Sequence, residues 1–144
     1  MMLRLATHTI TRIRNTMNQL VISCSLSDKG HSRLLARRLV DLLNEVGDDS
    51  EFVDLRDLVL PFCDGGVSFG DANVERLAEK IAQASAVALA VPVYNYDVGG
   101  AARNLIALTG SAWNDQIVGL IGAAGGQRSY MSLMPLANSV MISF

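Results

Sequence analysis

From Met17 onward, short unbroken apolar runs alternate with stretches in which apolar residues recur every three or four positions. Leu20 to Cys24 reads as a buried strand. Leu34, Leu35, Leu39, Leu42, Leu43 and Val46 then fall at helical spacing, with Arg33, Arg37, Arg38, Asp41 and Glu45 on the other side, and Gly47 supplies a stop. Glu51 to Leu55 predicts a second short strand, and the glycine- and aromatic-rich stretch from Pro61 to Gly70 a loop. Val74, Leu77, Ala78, Ile81 and Ala82 form a clean helical stripe. Ala86 to Val91 is continuously apolar, as expected of a strand covered on both faces, and Pro92 is expected to end it. Gly99 to Leu108 predicts a third helix, Gln116 to Ile121 a fourth strand and Arg128 onward, to about Val140, a fourth helix.

Four strand–helix pairs in succession are the signature of an α/β doubly wound parallel sheet. The 144 residues suffice for one core, and no linker, repeat or low-complexity tract divides them, so residues 17–144 are expected to form one domain. Residues 1–16 stand apart. They carry Arg4, Arg12 and Arg14, several threonines and no acid, which superficially resembles a transit peptide. An upstream start codon before Met17 is the preferred account, and the segment is left out of the fold either way.

A net charge of −2 argues against a nucleic-acid backbone binder. No apolar run approaches the ~20 residues that cross a bilayer. Cys24 and Cys63 lack the spacing of a metal or redox pair, so reduced thiols in a cytoplasmic protein are expected.

In open parallel sheets ligands gather at the carboxyl ends of the strands. After the first strand come Ser25, Ser27, His31, Ser32 and Arg33, running into a helix. Hydroxyls at a helix start make an anion site, though Ser27 or Ser32 can equally be a plain cap. The loop is neither a Walker loop nor a GxGxxG fingerprint. After the third strand, Pro92-Val93-Tyr94-Asn95-Tyr96 leads to two glycines. Such a loop can lay a planar ring against backbone, or be an ordinary turn with surface tyrosines. After the fourth, Gly122-Ala123-Ala124-Gly125-Gly126-Gln127 lets a ligand approach the main chain. Three ligand-competent loops on one sheet edge outweigh any one of them. Asp97 and Asp115 read as solvated or capping, and no side chain is singled out as catalytic.

These residues resemble the NAD(P)H-dependent FMN reductase family, a branch of the flavodoxin-like fold. Pro92-Val93-Tyr94-Asn95 is similar to that family's Pro-Glu-Tyr-Asn motif, and Gly100-Ala101-Ala102-Arg103-Asn104 to the Gly-Ala-x-Lys-Asn helix start after it. Leu60-Pro61-Phe62-Cys63-Asp64 resembles its Leu-Pro-x-x-Asp segment. Cys24 stands where the family usually has glycine, Val93 replaces the common glutamate, and Ser27 is often arginine. The resemblance implies FMN, with Ser25, Ser27, Ser32 and Arg33 on its phosphate and His31 nearby. It places Pro92, Val93, Tyr94, Asn95 and Tyr96, with Gly125, Gly126 and Gln127, around the ring. It further implies NADPH or NADH as electron donor, a small-molecule acceptor such as a flavin or quinone, and a homodimer or homotetramer. A flavodoxin-type electron carrier or an inert flavin-binding module is the alternative; carriers are usually strongly acidic, and this chain is not. A flavodoxin-like sheet has five strands, and this chain stops at Phe144. The fifth is expected to be missing, leaving the fourth strand an open edge and Leu133, Leu136, Val140 and Ile142 short of a packing partner.

Overall fold

The structure, a computed structural model, describes residues 18–129 and 131–142. The expected leader at residues 1–16 lies outside the described residues.

The first strand, β1 (Asn18–Ser23), pairs in parallel with β2 (Asp49–Asp54) on one side and β3 (Ala86–Tyr94) on the other; β3 then pairs in parallel with β5 (Val118–Ala123). The order β2-β1-β3-β5 reverses direction at β1 and β3, as a doubly wound sheet requires. Alternate residues feed opposite faces. Leu20, Ile22, Val87, Leu89 and Val91 face the larger core, which is closed by α2 (Ala72–Gln83), α3 (Gly100–Thr109) and α4 (Met134–Ile142). Val21 and Ala90 face the smaller one, closed among the described residues by α1 (His31–Val46).

Local chemistry explains the element ends. Gly47 adopts φ 83° and its N–H returns to Asn44, a left-handed helix terminus that favours glycine. The Asp71 carboxylate accepts from the N–H groups of Asn73 and Val74 and starts α2.

Three expectations shift. Pro92 does not end β3. It stays in register with Ala123, and its carbonyl accepts from the Gly99 N–H at 3.0 Å, so the absent N–H removes only one ladder bond. The strand continues into a hairpin with a two-residue strand, β4 (Asp97–Val98), turned at Asn95 and Tyr96 with φ 50° and 63°. The fourth helix begins at Met134 rather than Arg128, because Pro135 in its interior would lose a hydrogen bond and clash with the preceding turn, whereas in the first turn it fits. Gln127–Ser129 forms a separate 3₁₀ turn. The last parallel strand starts two residues late, after a 3₁₀ turn at Gly110–Trp113 and a left-handed Asp115.

Candidate active site

The loops after β1, β3 and β5 enclose a cleft of about 810 Å³. Ser27, Lys29, Gly30, His31 and Ser32 line one end, Pro92, Val93 and Tyr94 the middle, and the backbone from Gly122 to Gly125 the other wall. A second hollow of about 250 Å³ opens beside it through Val93, Gly122 and Ala124, and reaches Gly126 and Gln127. The fold therefore gathers residues that lie almost 100 positions apart onto one sheet edge.

The first loop is shaped by Ser25, which is fully buried. Its Oγ accepts from the Ser27 N–H at 3.3 Å. A Cβ on Gly30 would collide with that hydroxyl, so the chain can enter α1 this tightly only with glycine there. The Ser27 Oγ accepts from the Lys29 N–H at 3.3 Å and keeps its own proton free to donate. Ser32 lies in the first turn of α1. It is fully buried, yet its Oγ has no hydrogen-bond partner among the described residues. The helix has no side-chain cap and no acid in its first turn, so its amides and dipole face the cleft uncompensated.

Four residues expected at the site line neither the cleft nor the hollow beside it. Ser25 lies beneath the loop. Arg33 is turned inward onto Asp54, Nε to Oδ2 2.6 Å. Asn95 and Tyr96 form the exposed tip of the β3–β4 hairpin, beyond Tyr94. Conversely, Lys29 of the first loop lines the cleft, and so do Leu34 and Leu35, whose spacing predicts only a helix.

The nearby carboxylates and the Cys24 thiol are committed elsewhere. Asp97 receives both of its oxygens' contacts from Arg103 Nη2, at 2.8 and 2.7 Å, and caps the Val98 N–H. Arg103 and that N–H hold its carboxyl below the usual carboxylate range. Burial, with Asp54 adding to it, pushes the Cys24 thiol up to about 12. In the loop before α2, away from the cleft lining, Asp64 accepts from the Ser68 hydroxyl at 2.6 Å and from the Gly66 and Ser68 N–H groups. These bonds lower its carboxyl to about 2 and fix the loop that Asn104 ties down through Pro61 and Cys63.

A doubly wound parallel sheet with an open helix start and two small-residue loops at its switch point defines a flavodoxin-like protein. Residues 17–142 match the family model of NADPH-dependent FMN reductase, and the chain belongs to that family. It is thus a flavin-dependent oxidoreductase that works with FMN and a reduced nicotinamide. Solved structures share the fold. The apo form of the NADH:FMN oxidoreductase EMOB is 20% identical with TM-score 0.73, over 89% of this chain and 69% of that one. The NAD(P)H:(acceptor) oxidoreductase FerB from Paracoccus denitrificans is 22% identical with TM-score 0.71, over 87% and 71%. An azoreductase from Bacillus anthracis is 13% identical with TM-score 0.70, over 86% and 80%.

Proposed function

We propose that the cleft at the ends of β1, β3 and β5 is where this chain holds FMN, phosphate at the start of α1 and ring between the β3 hairpin and the β5 loop. The observation that carries this reading is the Ser32 hydroxyl. A buried, unpartnered donor at the start of a sixteen-residue helix beside a cleft calls for an anion to complete it. Ser27, with its free proton, and the first-turn amides add directed donors, while Lys29 adds positive charge and His31 lines the same end.

The flavin, when bound, supplies the hydride and electron chemistry. The chain's part is to bind and orient. The small residues from Gly122 to Gly126 admit a planar ring to hydrogen-bonding distance of the main chain, and Tyr94, half exposed, stands at the rim. Asp97 is locked on Arg103, and no side-chain acid or base is required of the cleft. A reduced nicotinamide and then a small-molecule acceptor would use the open side in turn. A cytoplasmic setting and a homo-oligomer belong to the same reading; among the described residues no helix is long and apolar enough to cross a membrane.

Titrating apo-protein with FMN and FAD tests the proposal. FMN should bind much more tightly, since the phosphate end of the cleft closes on buried Ser32. Equal affinity for FAD, or NADPH oxidation that FMN does not stimulate, would overturn it.

A further inference from the structure

The loop between β1 and α1 turns neighbouring residues to different sides. Ser27 and Lys29 line the cleft, whereas Asp28 between them does not. Asp28 instead accepts at Oδ1 from Arg56 Nη1, 2.5 Å away and 28 positions along the chain. Among the described residues, the other hydrogen bonds of residues 26–30 stay within the loop and the start of α1. The Ser27 N–H donates to Ser25 Oγ, the Lys29 N–H to Ser27 Oγ, the Gly30 N–H to the Ser27 carbonyl and the Arg33 N–H to the Gly30 carbonyl. The Arg56 guanidinium is thus the hydrogen-bonded tie between this loop and another element.

The two ends of the tie differ in rigidity. Leu55 is buried, and the Arg56 N–H donates to Asp54 Oδ1 at 3.1 Å. The other oxygen of that buried carboxylate holds Arg33 Nε in the first turn of α1. One carboxylate therefore fixes both the base of Arg56 and the start of the helix. From that base the Arg56 side chain reaches out to Asp28, whose own side chain is 89% exposed. An ion pair this exposed adds little to folding. What it fixes is the direction in which the loop faces.

We propose that Arg56 is a positioning residue for the anion end of the cleft. This rests on the reading that FMN places its phosphate at the start of α1. By holding Asp28 away from the cleft, Arg56 keeps Ser27 and Lys29 turned toward it, so that less order has to be imposed when the phosphate arrives. It also neutralises the loop's single carboxylate, which lies between two cleft residues and would otherwise oppose a phosphate dianion.

Titrating apo-protein with FMN and with riboflavin, which lacks the phosphate, tests the proposal. Arg56→Gln should raise the FMN dissociation constant roughly two- to fivefold at low salt, the scale of an exposed ion pair, and leave that of riboflavin unchanged. High salt should shrink the difference. Arg56→Lys should keep most of the affinity. Adding Asp28→Asn to Arg56→Gln should recover it, because no carboxylate is then left to hold back. An Arg56→Gln protein that retains the parent's full preference for FMN would overturn the inference. So would equal loss of both flavins, which marks a merely structural role, or failure of Asp28→Asn to recover FMN binding. A parent protein that does not prefer FMN to riboflavin would instead overturn the phosphate reading of the cleft, and this inference with it.

Discussion

Arg33 and Asp54 meet at 2.6 Å with their side chains 9% and 2% exposed, joining the first turn of α1 to the carboxyl end of β2. The guanidinium that stands beside the phosphate loop is thereby a tie within the fold. Its removal would leave a buried carboxylate unpaired, next to the equally buried Cys24 thiol. Arg33→Gln should therefore destabilise the domain by ~3–5 kcal/mol. The double variant Arg33→Leu/Asp54→Asn, which removes both charges but keeps an acceptor for the Arg56 N–H, should recover most of that loss. Urea unfolding of the three proteins measures both effects. A single variant within 1 kcal/mol of the parent would mean that the pair contributes little.

Ser32 behaves in the opposite sense. Its hydroxyl is buried without a partner, so Ser32→Ala removes an unsatisfied group and should leave the apo-protein as stable or slightly more so. FMN affinity, in contrast, should fall by ~1–3 kcal/mol, the worth of a hydrogen bond to a charged group. Calorimetric titration alongside a thermal melt separates the two. Unchanged affinity would reduce Ser32 to a residue of the helix start.

The contrast between these two residues shows which parts of the molecule the sequence exposes. Ser32 belongs to a local pattern, hydroxyls leading into an apolar stripe, and local patterns placed every parallel strand and the first three helices to within a few residues, while the fourth helix starts six residues later than its pattern. The partner of Arg33 lies on a different strand, and nothing near either residue announces the pairing. Continuation of β3 through Pro92 was hidden for a related reason. A proline reads as a strand end unless its lost N–H bond faces no needed partner, and that depends on the neighbouring β5. The hairpin beyond it lacks the glycine that usually marks such a turn. Pro135, by contrast, was visible in the sequence and fixes the start of α4 on steric grounds alone.

The two cysteines should differ sharply in reactivity. Cys24 is fully buried and its thiol is pushed to about 12, so no thiolate forms there at neutral pH. Cys63 sits half-buried in the loop held by Asn104, with its thiol directed at the Ala107 carbonyl. A disulfide reagent at pH 8 should titrate one thiol in the native protein and a second after unfolding. The same shift carries a pH dependence. Folding keeps the Cys24 proton that the unfolded chain loses near 9.0, so this contribution is intact below pH 9 and disappears as pH rises toward 12. Cys24→Ala should flatten that alkaline fall in melting temperature. Two fast-reacting thiols in the folded protein would contradict the buried placement.

Tyr96 offers the last test, because it separates the hairpin's strain from its place beside the cleft. Its φ of 63° follows φ 50° at Asn95, so two consecutive residues with side chains hold the left-handed conformation of a tight hairpin turn. That conformation costs roughly 1–2 kcal/mol for an ordinary side chain and almost nothing for glycine. The ring recovers little by packing, since Tyr96 is 68% exposed and does not line the cleft. Flanking bonds hold the turn in place instead: Asp97 grips Arg103, and Gly99 donates to the Pro92 carbonyl. Tyr96→Gly should then stabilise the protein by about 1 kcal/mol, the relief of strain being offset in part by the greater freedom of glycine in the unfolded chain. FMN affinity should stay the same, while Tyr94→Ala, two residues earlier and on the cleft wall, should alter the flavin absorbance bands. If Tyr96→Gly instead lowers flavin affinity at unchanged stability, the strained tip reaches the ligand, and the hairpin is part of the binding surface rather than its support.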